Sequence, residues 1–148
     1  MNLYYTDGSA NPNPGRGGWA VVLFTDKPKA GEGEVVASGA VNNATNIRME
    51  GYALGAAIKE GEAAGKPYKI ITDSQFWCNV LTKWAPGWEK RGWKKATSGE
   101  IQNLDLVQKL YELYKQAKPQ VEWTRGHVGD PGNEAADEAA NRARQQAA

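Results

Sequence analysis

Three short runs rich in apolar and β-branched residues open the chain, at residues 2–9, "GWAVVLFT" at 18–25 and "GEVVASGAV" at 33–41, each bounded by Gly, Pro or Asn clusters. This punctuation predicts an antiparallel meander of strands. From Asn46 to about Gly65 the period lengthens: Met49, Ala53, Ala56 and Ala57 share one helical stripe, with Leu54 and Ile58 beside it, and Glu50 is expected in the first turn. Tyr68 to Thr72 returns to strand. Gln75 to about Trp84 reads as a helix broken by Pro86 and Gly87, and another helix is expected from about Gly99 to Gln116. There Ile101, Leu104, Leu106, Val107, Leu110, Leu113 and Tyr114 form a broad apolar face, with Pro119 as the stop. The strand "VEWTR" and an alanine-rich helix from about Gly132 complete the chain. Strands followed by alternating helices and strands predict an α/β fold, a mixed sheet with helices packed on its faces.

Composition narrows the class. A chain of 148 residues, 41% of them hydrophobic, fits one domain over residues 1–148 with a real core. A formal net charge of +1 argues against polyanion binding over the whole surface, so any such binding must be local. The only cysteine, Cys78, cannot form an internal disulfide and reads as a packing residue on its helix. The first residues lack the basic start and apolar stretch of a signal peptide, and "WAVVLF" is far shorter than the roughly 20 residues a membrane span needs. A soluble, cytoplasmic protein with no membrane partner is expected.

The charged residues then change the picture. Asp7 in "YTDGS" and Asp73 in "ITDSQ" each close an apolar strand run, and Glu50 and Asp137 stand on helices. One aspartate after a strand is ordinarily a turn former. Two on parallel, adjacent strands would point into the crevice at the strand ends, where open α/β sheets bind ligands. Close carboxylates repel unless a proton or cation joins them. Oxygen ligands without Cys or a His cluster suit Mg²⁺ or Mn²⁺, two of which can be held about 3.5–4 Å apart to activate water and stabilise a leaving oxygen.

A second concentration of charge lies at residues 83–95, "KWAPGWEKRGWKK". It has five basic residues and one acid, a local charge of +4 that leaves −3 for the remainder, and it holds Trp84, Trp88 and Trp93, half of the six tryptophans. Lysine and arginine supply phosphate contacts that position a duplex without reading its sequence, and an exposed ring can lie against sugar or base.

Taken in order, "YTDGS", "NPGRGGWA", "TNIRMEGYALGAAI", "ITDSQ", "WEKRGWKK" and "TRGHVGDPGNEAADEAA" resemble type 1 ribonuclease H over essentially the whole chain. The resemblance implies a ribonuclease H-like fold, a five-stranded mixed sheet flanked by helices on both faces. It implies a monomeric, sequence-nonspecific endonuclease that hydrolyses the RNA strand of RNA–DNA hybrids, leaving 5′-phosphate and 3′-hydroxyl ends. Asp7, Glu50, Asp73 and Asp137 would be its metal-binding carboxylates, with two Mg²⁺ ions, or Mn²⁺ as a substitute. His127, the only histidine, would assist catalysis without ligating metal. Asn13, Asn46 and Gln75 would touch the hybrid from its minor groove, and Gly8 would let its backbone approach the RNA, contacts that can sense the 2′-hydroxyl. Trp84, Lys90, Arg91, Trp93, Lys94 and Lys95 would meet the DNA strand. One departure is Ile47, where the family often has a second asparagine; an altered affinity or register on the hybrid is expected there.

Two rival readings are weaker. The same fold serves integrases and other phosphoryl-transfer nucleases, but these generally lack the basic segment. A module that binds duplex without cutting it would have little use for four acids facing a polyanion.

Overall fold

The computed structural model describes residues 1–95, 99–126 and 129–146. Five strands, β1 (Asn2–Ala10), β2 (Gly15–Phe24), β3 (Glu34–Ala44), β4 (Tyr68–Thr72) and β5 (Gln120–Trp123), form one sheet in the order β3-β2-β1-β4-β5. The first three pair antiparallel, as the meander predicts, and β4 lies parallel to both β1 and β5. β1 is therefore the central strand, and alternate side chains leave it for two different cores. Tyr4 joins Val21, Leu54, Ile58, Ile70, Trp77, Val107 and Leu110 on one face. Leu3 and Tyr5 join Ala20, Val22, Phe24, Ala136, Ala139 and Ala140 on the other. That division follows from the period-2 geometry of a strand. It sets α1 (Asn46–Ala64) and α4 (Leu104–Ala117) against one face and α5 (Pro131–Gln146) against the other, so the sheet is flanked on both sides as expected.

Helix α1 begins where Thr45 accepts the Arg48 N–H at 3.2 Å and ends on Gly65, whose φ of 66° is the left-handed conformation that glycine adopts at least cost. Because Glu50 is the fifth residue of this helix, it stands just past the first turn rather than in it. The following segment departs further from expectation. Pro86 does not end the helix. Instead α2 (Gln75–Asn79) passes into a π-helical turn at Val80–Trp84 and then into α3 (Ala85–Lys90), with Pro86 in the first turn of α3. The wider turn, in which the Ala85 N–H reaches the Val80 carbonyl, takes up one extra residue ahead of the proline, where a missing N–H is tolerated.

α4 starts later than the apolar pattern suggests. Asn103 has a φ of 57°, a left-handed residue that separates the helix from buried Ile101. The start of α4 is fixed to α1 by Arg48, which donates to Asp105 Oδ1 and Oδ2 at 3.1 and 3.0 Å and to Asn103 Oδ1 at 3.3 Å. Trp77, fully buried, donates from Nε1 to the Ile47 carbonyl at 2.8 Å, so the segment after β4 is tied directly to the start of α1. Among the described residues no helix is long and apolar enough to cross a membrane.

Candidate active site

The acidic residues converge where β1 and β4 part. Thr72, the last residue of β4, pairs with Thr6 on β1. The next residues, Asp73 and Asp7, therefore leave the parallel ladder at the same level. Asp7 is not the end of its strand, as the sequence suggested: β1 continues to Ala10, paired with β2 alone, and Asp7 lies opposite Ala20. Strand pairing on one side holds its backbone while the other side opens into the crevice.

Glu50 reaches the same place from α1 because Gly8 lets the helix come close. A side-chain carbon on Gly8 would collide with the backbone of Met49 and Glu50. Helix approach is thus a structural demand on this glycine, in addition to the substrate approach expected from sequence. Asp7, Glu50 and Asp73 each offer a carboxylate oxygen such that all three lie within 4.8 Å of one another. Asp137, exposed on α5, stands off this group but is near enough for its charge to raise the Asp7 carboxyl.

Burial and mutual repulsion hold protons on these acids. Asp7 is pushed up to about 8, first by burial and then by the neighbouring charges of Asp73 and Asp137, against the pull of the Gly8 N–H, which donates to Asp7 Oδ1 at 2.8 Å. Glu50 rises to about 7 through burial and the Asp73 charge, with the Ser74 hydroxyl opposing. Asp73 is also raised, by burial and then by Asp137. Its Oδ1 is buried with no hydrogen-bond partner among the described residues. An unpartnered buried carboxylate oxygen beside two further carboxylates is costly unless a cation shares it. The all-oxygen donor set fits a hard divalent cation.

The other expected site residues are more dispersed. Asn46 Oδ1 accepts the Ala10 N–H at 2.6 Å, and Asn13 Oδ1 accepts the Asn46 N–H at 3.2 Å, so both side chains lock the β1–β2 connection onto the start of α1. Gln75 is exposed at the first position of α2. Trp84 is 40% exposed, with its ring near Phe76 and Trp88 at centroid distances of 6.1 and 6.0 Å. Trp93, at a φ of 65°, turns its ring edge-on to Tyr111 and is half-buried, whereas Lys90, Arg91 and Lys94 are exposed and Lys95 is half-buried. His127 lies outside the described residues.

Ile47 is half-buried, with its side chain packed in part against the larger core. Cys78 is half-buried and burial pushes its thiol up to about 11, in keeping with a packing role. Sequence reasoning missed Ser74, buried beside Glu50 and accepting the Trp77 N–H at 3.2 Å as the cap of α2. A serine between a strand-closing aspartate and a helix was the available signal.

The RNase H family model matches residues 2–145. The chain belongs to the RNase H family. It is 44% identical over 142 residues to the ribonuclease HI of Pseudomonas aeruginosa strain PAO1, covering 95% of this chain and 90% of that one. Among solved structures, LC9-RNase H1, a type 1 RNase H with the type 2 active-site motif, superposes with a TM-score of 0.77 at 27% identity, covering 97% of this chain and 72% of that one. LC11-RNase H1 in complex with an RNA/DNA hybrid shares the fold with a TM-score of 0.67 at 22% identity, covering 99% and 98%. The RNase H family assignment makes the chain a type 1 ribonuclease, and the acidic crevice is the part of it suited to the chemistry.

Proposed function

We propose that residues 1–148 act as one domain, a monomeric cytoplasmic endonuclease that hydrolyses the RNA strand of RNA–DNA hybrids without sequence preference and leaves 5′-phosphate and 3′-hydroxyl ends. The observation that carries this reading is the convergence of Asp7, Glu50 and Asp73, with Asp73 Oδ1 buried and unpartnered. Family membership and the hybrid bound by LC11-RNase H1 support the substrate.

Asp7, Glu50 and Asp73 would hold divalent cations, with Mg²⁺ preferred, Mn²⁺ as a substitute and two ions per site when substrate is present; Asp137 would complete the set from the exposed side. Bound there, such ions lower the pKa of water and stabilise charge on a leaving oxygen. The chain's own contribution is placement. Strand β1, the end of β4 and helix α1 hold three carboxylates in one small region, where catalysis tolerates little error. Asn13 and Asn46 fix the loop over which the minor groove would lie, and Gly8 and Gln75 would add contacts to it. Trp84, Lys90, Arg91, Trp93, Lys94 and Lys95 would hold the DNA strand, and His127 would move a proton or assist product departure.

The test is cleavage of an end-labelled hybrid, with RNA and DNA duplexes as controls. Cutting confined to the RNA strand, dependent on Mg²⁺, abolished by EDTA and yielding 5′-phosphate ends is expected. Equal cutting of a DNA duplex, or cutting in EDTA, would overturn the proposal.

A further inference from the structure

The peptide group that joins Asp73 to Ser74 is restrained at both ends. Its N–H, on Ser74, donates to the Thr72 hydroxyl at 3.1 Å. Its carbonyl oxygen, on Asp73, accepts the Trp123 indole N–H at 3.1 Å. The first contact is local, two residues along the chain. The second crosses from β5, where Trp123 pairs with Thr72 and the following Thr124 N–H donates to the Thr72 carbonyl at 2.9 Å.

Among the described residues Trp123 belongs to none of the hydrophobic core clusters. It ends the four-residue edge strand, and 39% of it is exposed. Burial of a large ring normally explains a tryptophan, with the N–H finding a partner afterwards. Here the N–H contact lands on the backbone of a carboxylate residue whose Oδ1 has no hydrogen-bond partner among the described residues. With no side-chain hydrogen bond to aim that oxygen, its direction depends on the backbone from which it projects. Fixing the Asp73–Ser74 peptide plane restricts ψ of Asp73. It therefore restricts where the carboxylate stands relative to Asp7 and Glu50.

We infer that Trp123 is a positioning residue for the acidic centre, acting through its indole N–H on the Asp73 carbonyl. It needs no contact with substrate or metal to do so. This inference rests on the metal-dependent reading above.

The experiment is calorimetric titration of Mn²⁺ into the nucleic-acid-free protein, for the native chain and for Trp123→Phe, which keeps an aromatic ring and deletes the donor. A benzothienylalanine at position 123 is the isosteric second variant, with sulfur in place of the N–H; it preserves ring size should the phenylalanine variant fold poorly. Both are expected to bind Mn²⁺ about 3- to 10-fold more weakly, the range for loss of one restraining hydrogen bond. In cleavage assays kcat at fixed Mg²⁺ should fall while KM for hybrid stays unchanged, because the ring surface is retained. Unchanged Mn²⁺ affinity in the isosteric variant would overturn the inference. So would a change confined to KM, which would make the ring a substrate contact. Failure of the native chain itself to bind Mn²⁺ would remove the metal-dependent reading instead, a separate result.

Discussion

The acidic centre and the basic segment would meet a nucleic acid in opposite ways, and the difference lies in how each is built. Asp7, Glu50 and Asp73 come from a central strand, a long helix and the end of a second strand, and all three are at least half-buried. The basic segment rises from a π-helical turn and a six-residue helix, with exposed Lys90, Arg91 and Lys94. Among the described residues it is anchored by Lys115 to Glu89 at 2.6 Å, by Trp93 against Tyr111, and by Ala85, Trp88 and Trp93 at the larger core. Chemistry needs charges placed to within a fraction of an ångström and tolerates the cost of burying them. Phosphate contacts need charge near a polyanion and work through water. Rigid regular elements therefore carry the acids, and an exposed projection carries the bases.

Substitution at the acidic centre gives the largest expected effect. Asp73→Asn keeps the shape of the side chain but removes the charge that would hold a cation, so kcat in Mg²⁺ should fall by about 10⁴-fold or more, at or beyond the upper end of the typical contribution of a general acid or base. Binding of hybrid should persist in a filter or anisotropy assay. Near-normal cleavage by this variant would end the contrast, since the buried acids would then have no catalytic part.

Neutralising Lys90, Arg91, Lys94 and Lys95 together is the complementary change. It should raise KM for long hybrids about 10-fold or more and flatten the dependence of log K on log salt, by roughly 0.9 per phosphate contact for a B-form duplex. At saturating substrate kcat should fall much less than kcat/KM, the pattern of an interaction made equally in ground and transition states. If kcat and kcat/KM fell together with the salt slope unchanged, the cations would belong to the transition state, and the two regions would not divide the work as proposed.

The packing of Ile47 leads to a smaller effect of a different kind. Replacing it by asparagine puts an amide against the core, where an unpartnered polar group costs about 1–3 kcal/mol. Urea unfolding should show that loss, with Kd for hybrid unchanged. Tighter hybrid binding would restore the substrate-facing orientation suggested by family resemblance.

That residue also marks the limit of what the sequence discloses. The strand at Tyr68–Thr72, the two-faced sheet and the meeting of Asp7, Glu50 and Asp73 follow from apolar periodicity and ordered motifs, since burial dictates strand faces and strand ends fix where carboxylates emerge. Features that leave no mark on the apolar pattern were not legible. Pro86 reads as a breaker because the turn that accommodates it depends on an Ala85-to-Val80 hydrogen bond that no local pattern announces. Gly99 reads as a helix start because the left-handed backbone of Asn103 has no signature in an apolar count. Trp123 reads as one more strand residue, since its partner, the Asp73 carbonyl, lies 50 residues away in sequence.

In the metal-free protein stability should respond to pH chiefly through the acidic centre. Asp7 is raised from 3.8 to about 8 and Glu50 from 4.5 to about 7, and Asp73 moves the same way. Between about pH 4 and pH 8 the folded chain therefore holds protons that the unfolded chain has released. Stability is fully present below the unfolded values and is lost as pH rises through the folded ones. Tm in EDTA should fall by several degrees, roughly 5 °C, between pH 5 and pH 9. Saturating Mg²⁺ should largely remove that fall, because a bound cation replaces the protons. Asp73→Asn should reduce it, since one member of the repelling set is gone. The variant neutralised at Lys90, Arg91, Lys94 and Lys95 should show the native dependence, since none of the altered groups contributes to the shifts of the carboxylates. A metal-free Tm that stayed level or rose across this range would mean that the acids are ionised without penalty, and that burial at the centre stores no repulsion for a cation to relieve.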